Sequence, residues 1–106
     1  MEAYLLSCNY KLLARNYFVY MLGEIDLIAE RNGEIYVIEV KGRRGVNLFV
    51  GLEGLVPADK LGKLIKTSSI FIDKNDLNNK ICNIVLAFVQ INENPIYNKL
   101  VFKRLK

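Results

Sequence analysis

The chain has 106 residues, 52% hydrophobic and 25% charged, enough for one domain with a single core and inconsistent with disorder. Lys and Arg number 15 against 11 Asp and Glu, and the net charge of +4 suits a polyanionic partner without identifying one. Histidine is absent, which removes Ser-His-Asp and Cys-His hydrolases, H-E-x-x-H zinc enzymes and nucleases with a histidine base.

Two cysteines without histidine cannot complete an ordinary zinc site, so any metal must sit on oxygen, and Mg²⁺ or Mn²⁺ is favoured. No small-molecule organic cofactor is expected. No apolar run approaches the ~20 residues of a membrane span. The first ten residues lack the basic region and cleavage site of a signal peptide. Cys8 and Cys82 stand far apart with no C-x-x-C pattern and are expected to be inert core residues. These features predict a reduced, cytoplasmic, single-domain protein over residues 1–106 that does not enter a membrane.

In chain order, Ala3 to Cys8 reads as the last turns of a short helix, and Lys11 to Val19 as a first strand rich in aromatic and aliphatic side chains. Polar and apolar residues alternate from Glu24 to Ala29. Asn32-Gly33 gives a strong hairpin signal, and Glu34 to Lys41 is the return strand. Gly42, Gly45, Gly51 and Gly54 mark a loop, and Pro57 suits the first turn of a helix. Leu61, Leu64, Ile65, Ser68 and Ile72 then form one buried helical face, with Lys60, Lys63 and Lys66 turned away from it. A polar linker from Asp73 to Lys80 leads to a buried strand, Ile81 to Ile91. Asn92 to Pro95 turns the chain into a last strand between Ile96 and Leu105. The order α-β-β-β-α-β-β describes an α/β fold on one mixed sheet.

The hairpin carries the chemistry. With Asn32 and Gly33 as a type I′ turn, paired residue numbers sum to 65. Asp26 then faces Glu39, Glu24 faces Lys41, and all four side chains leave the same face of the strands. Ile28 and Val37 pair on that face, while Ile25, Leu27, Tyr36, Ile38 and Val40 occupy the other. Both faces are thus partly apolar, as in central strands covered on both sides. Two carboxylates ~4.5–5.5 Å apart at Cβ need a proton, a cation or water between them, and a divalent ion answers this directly. Lys41 is long enough to reach the same spot, where it could hold an attacking water or offset charge on a phosphoryl oxygen. The alternative is a solvated face of an amphipathic hairpin, the commonest meaning of alternating charge.

Gly23-Glu24-Ile25-Asp26-Leu27-Ile28, with Ile38-Glu39-Val40-Lys41 and Arg43, resembles the signature of the YraN-type family of small bacterial proteins. That family belongs to the PD-(D/E)xK nuclease-like superfamily of restriction endonucleases and archaeal Holliday-junction resolvases. Asn9 to Tyr17 is similar to the family's first-strand segment, and Phe49, Gly51, Glu53 and Lys60 roughly follow its loop-and-helix pattern. The resemblance implies a restriction-endonuclease-like α-β-β-β-α-β core with a mixed central sheet flanked by helices. It implies Asp26 and Glu39 as metal ligands, Lys41 as the catalytic lysine, and Glu24 as a further acidic position. The chain lacks the family's earlier Gly-Glu turn, and Asn83 stands where relatives tend to carry aspartate.

Arg43 and Arg44 follow the E-x-K strand and are candidates to grip phosphates, or a charged loop entrance. Lys60 and Lys63, with Lys66, are candidates to track a nucleic-acid backbone, or the solvated face of the helix. Tyr17, Phe18 and Tyr20 are expected in the core rather than stacked on bases. The leading expectation is an Mg²⁺-dependent endonuclease acting on DNA, with Asp26, Glu39 and the Val40 backbone carbonyl around the metal. By analogy with resolvases, branched DNA and a homodimer are expected. The competing expectations are a non-catalytic nucleic-acid-binding module and a protein-interaction domain.

Overall fold

The structure, a computed structural model, describes residues 2–44, 58–91 and 99–104. The side chains of Lys41, Arg43 and Arg44 lie outside the described part, as do the expected glycine loop over 45–57 and the turn at 92–95. The elements are α1 (Glu2–Ser7), β1 (Lys11–Val19), β2 (Gly23–Arg31), β3 (Glu34–Arg44), α2 (Ala58–Lys74), β4 (Ile81–Ile91) and β5 (Lys99–Arg104). This is the predicted order. The return strand continues through Gly42 to Arg44, and α2 runs two residues into the expected linker.

The five strands form one mixed sheet in the order β1-β2-β3-β4-β5. Neighbours are antiparallel except β3 and β4, which are parallel. Parallel strands need a crossover, and α2 lies in that connection. Both helices end on a residue in the left-handed region. Asn9 (φ 67) follows α1 and the Tyr10 N–H returns to the Leu5 carbonyl at 3.0 Å, while Asp76 (φ 56) follows α2 and the Leu77 N–H returns to Ile72 at 2.9 Å. Such turns satisfy carbonyls that the helix end leaves open.

The sheet is covered on both faces. On one, Ile25, Ile28, Ile35, Val37, Ile84 and Leu86 pack under Leu64 and Phe71 of α2. On the other, Leu27, Ala29, Ile38, Val85 and Ala87 pack with Leu5 of α1. The ring of Tyr17 meets that of Phe71 edge-on at 5.1 Å, which ties β1 to α2. Thr67 and Ser68 are buried within α2, and their hydroxyls donate to the carbonyls of Lys63 (2.8 Å) and Leu64 (2.6 Å). Bonded in this way, they bury at little cost.

Tyr17 is half-buried and packs against the core, but Phe18 and Tyr20 do not follow the expectation. They are 62% and 80% exposed, beside Met21 at 76%, where β1 turns into β2. Alternation explains Phe18, since its neighbours Tyr17 and Val19 take the inward positions. Tyr20 lies beyond the strand, in the turn. Cys8 and Cys82 are half-buried. Among the described residues no helix is long and apolar enough to cross a membrane.

Candidate functional site

The site begins with the β2–β3 turn. Asn32 (φ 53) and Gly33 (φ 77) both have the positive φ that a type I′ turn requires. The hairpin register follows, from Arg31↔Glu34 through Ile28↔Val37 to Leu27↔Ile38, each pair summing to 65 as predicted.

Beyond Leu27 the two strands part. β2 stays paired with β1 through Ile25↔Tyr17 and Glu24↔Phe18, whereas β3 stays with β4 through Glu39↔Leu86, Val40↔Ala87 and Lys41↔Phe88. The predicted facing pairs Asp26–Glu39 and Glu24–Lys41 are therefore not rungs of a continuous ladder. They stand on the two prongs of a fork.

Asp26 lies at the apex of the fork. Its Oδ2 accepts the Val40 backbone N–H at 2.7 Å. In an unbroken ladder of this register, that N–H would meet the Ile25 carbonyl. A carboxylate has replaced a main-chain partner, and a charged acceptor makes the bond short and strong. The side chain thus reaches sideways toward β3.

The strand geometry accommodates this. Ile25 and Ile28, three residues apart, share the α2 face, while Leu27 and Ala29 share the other. Strict two-residue alternation would put Ile25 with Leu27, as the sequence pattern predicted. The alternation slips once, across Asp26. The β1–β2 register is the same at Arg15↔Leu27 and at Tyr17↔Ile25, which sets Asn16, whose φ is 51, opposite Asp26. The slip on β2 thus sits opposite a left-handed residue on β1.

Glu39 is on the α2 face of β3 and only 6% exposed. Its Oε1 lies 3.5 Å from the Lys60 Nζ, and the Lys60 side chain is 41% exposed. The sequence pattern placed Lys60 on the solvated side of α2, and the structure corrects this. Lys60, Leu64, Thr67 and Phe71 follow i, i+4, i+7, i+11, and the last three are buried. Lys60 is the N-terminal member of the face that packs on the sheet. The predicted stripe does face the core, with Leu64, Ser68 and Ile72 buried and Leu61 and Ile65 packed against it, but the buried face is wider and takes in Thr67 and Phe71 as well.

A cleft of about 270 Å³ opens between the start of β2 and the first turns of α2. Glu24, Asp59, Lys60 and Lys63 line it with Gly23 and Thr67. Glu24 and Lys63 are exposed. Among the described residues no three His, Cys, Asp or Glu side chains gather as a metal-binding group, so Glu24 does not join Asp26 and Glu39 as a third carboxylate. Lys41, Arg43 and Arg44 continue β3 past Glu39, with backbone partners Phe88, Gln90 and Ile91.

Asn83, on β4, is buried and hydrogen-bonded to β3. It is 2% exposed, and its Nδ2 donates to Glu34 Oε1 at 3.1 Å and to the Ile35 carbonyl at 3.3 Å. It pairs with Tyr36, three residues before Glu39 on the same strand, roughly 10 Å from the fork.

Comparison with known proteins finds relatives of the sequence. Residues 1–92 match the model of a family described as uncharacterised protein family UPF0102. A UPF0102 protein of Sulfurihydrogenibium sp. (strain YO3AOP1) is 43% identical over 77 residues, covering 73% of this chain and 65% of the relative. One from Clostridioides difficile (strain 630) is 42% identical over 76 residues, 72% of this chain and 65% of the relative. One from Persephonella marina is 34% identical over 95 residues, 90% of this chain and 78% of the relative. The matched part thus spans just under two thirds of the length of the first two relatives.

Proposed function

The chain belongs to the uncharacterised protein family UPF0102, and on that footing we propose that it is a metal-dependent endonuclease hydrolysing DNA phosphodiester bonds on a restriction-endonuclease-like core. The observation that carries this reading is the fork. An acidic side chain at its apex is fixed to the strand that bears Glu39 and, two residues on, Lys41.

The donor set fits a hard, oxygen-preferring cation. The bond to Val40 uses Oδ2 of Asp26, and Oδ1 would serve as the ligand. Glu39 supplies a second carboxylate from a nearly dry position. The N–H and C=O of one strand residue project toward the same neighbouring strand, so the Val40 carbonyl is directed into the fork with the N–H that Asp26 takes. Asp26, Glu39 and the Val40 carbonyl would hold Mg²⁺ or Mn²⁺, which when bound polarises a phosphoryl oxygen and eases formation of a hydroxide nucleophile.

The protein's own part is placement. Asp26 is held in one orientation by the Val40 amide, and little reorganisation is needed on binding. Lys41 orients a water for in-line attack and offsets charge growing on the phosphate. Arg43, Arg44 and Lys63 contact flanking phosphates. Glu24, at the rim of the cleft, acts on solvent and substrate rather than as a metal ligand. By analogy with resolvases, the substrate is branched or otherwise structured DNA and the working form a homodimer.

One observation favours a second reading. Glu39 already has a protein cation within 3.5 Å, Lys60, as expected of a nucleic-acid-binding module that keeps the fold without the chemistry. Cleavage of fluorescent linear, single-stranded, flapped and four-way-junction DNA in Mg²⁺, Mn²⁺ or EDTA separates the two. The nuclease reading predicts metal-dependent cutting that disappears in Asp26→Asn. Salt-dependent binding of the same DNAs with no cutting, at enzyme excess in Mn²⁺, would overturn it in favour of the binding module.

A further inference from the structure

We infer that Lys60 couples the two ligands of the proposed site: it neutralises Glu39 while the fork is free of metal, and turns to a phosphate oxygen in the cleft once a divalent cation occupies the carboxylates. The inference rests on the metal-site reading above and adds a residue that the D…E-x-K pattern does not contain.

Lys60 has a neighbour of each kind. Its ammonium is 3.5 Å from the buried Glu39 oxygen, and its side chain also lines the cleft beside Lys63. The contact is suited to exchange. At 3.5 Å it is at the outer limit of a hydrogen bond, and with the lysine side chain 41% exposed, water can take up the ammonium when it leaves. A tight, fully buried pair would be costly to break.

Charge decides the direction of the exchange. A divalent cation on Glu39 competes with the ammonium for the same carboxylate and repels it at short range. Lys60 sits in the first turns of α2, and its flexible four-carbon stem lets the ammonium swing without moving the helix. The cleft already holds Lys63 on the same side, together with Glu24 and Asp59. A phosphate entering there meets two ammonium groups when Lys60 is released and one when it is not. Metal binding therefore strengthens DNA binding, and by reciprocity DNA strengthens metal binding.

The test uses the full chain and two readouts. Titration calorimetry with Mn²⁺, without DNA, should show Lys60→Met binding the ion roughly three- to tenfold more tightly than wild type, because a competing cation is gone. Lys60→Arg should stay near wild type. Binding of a short flapped DNA is then measured across salt concentrations, in EDTA and in Ca²⁺, which serves here as the non-hydrolysing probe. Wild type should gain affinity in Ca²⁺ with a salt slope steeper by about one phosphate contact, and Lys60→Met should lose that gain.

Unchanged Mn²⁺ affinity in Lys60→Met, with the Ca²⁺ effect on DNA binding intact, overturns the inference while leaving the metal site standing. Mn²⁺ binding that is absent in wild type, or undiminished in Asp26→Asn and Glu39→Gln, overturns the metal site and the coupling together. Lys60→Gln, which retains a hydrogen-bond donor, repeats both readouts if Lys60→Met does not fold, with the same outcomes deciding.

Discussion

The Asp26 carboxylate and the Val40 amide, 2.7 Å apart, form a side-chain-to-backbone bond at the point where β2 and β3 separate. It both closes the apex of the fork and fixes the orientation of the acid. Structure and chemistry therefore meet in one residue, and substitutions there can pull them apart.

Asp26→Ala removes a charged acceptor and leaves the Val40 N–H to find water in a narrow space. A loss of about 1.5–3 kcal/mol is expected in urea unfolding with EDTA present. Asp26→Asn retains an acceptor oxygen at the same place and should lose only ~1 kcal/mol or less. Equal stability of wild type and Asp26→Ala would show that the bond contributes nothing to the fold.

Asn83→Asp tests the other end of the hairpin. Asn83 is buried and donates to Glu34, so an ionised aspartate would face a carboxylate it can only repel. Destabilisation of ~2–4 kcal/mol is expected at pH 7, falling toward acid pH as protonation of either carboxylate relieves the repulsion. The proposed DNA cleavage should be unaltered in the surviving folded fraction, because this position is roughly 10 Å from the fork. A gain of activity would place Asn83 in the site after all.

Much of this was legible in the sequence, for identifiable reasons. Asn32-Gly33 fixes a turn, and the turn fixes the register that the hairpin keeps as far as Leu27↔Ile38. What period-two reasoning could not reach was the slip across Asp26, since alternation has no signal for a side chain turned into the plane of the sheet. Strict alternation accordingly puts Ile25 on the face opposite to the one it takes. The place of Lys60 beside Glu39 is hidden for a different reason. Its charge argued for solvent, whereas its spacing to Leu64, Thr67 and Phe71 argued for the sheet face, and the spacing was the better guide. The exposure of Tyr20 had no such signal, because an aromatic just past a strand end reads as core until the turn is known.

The edge-on contact of Tyr17 and Phe71 links the edge strand to α2. A double-mutant cycle of Tyr17→Leu and Phe71→Leu should return a coupling of about 0.5–1.5 kcal/mol beyond the separate losses. Strictly additive losses would mean that the rings pack independently.

Gly33 tests the turn itself. A Cβ built there meets nothing within 4 Å, so the only cost of a side chain is its φ of 77°. Gly33→Ala should therefore destabilise by ~1–2 kcal/mol, and Gly33→Asn by less, because Asn tolerates the left-handed region. An alanine variant as stable as wild type would mean the turn is not held in this conformation.

The most direct measurement is anomalous diffraction from a crystal of the protein soaked in Mn²⁺. A peak in the β2–β3 fork, with oxygens of Asp26, Glu39 and the Val40 carbonyl at about 2.0–2.2 Å and Lys60 drawn away from Glu39, is the predicted result. A fork that stays empty at millimolar Mn²⁺, with Lys60 still paired to Glu39, would contradict the assignment of this site as a metal centre.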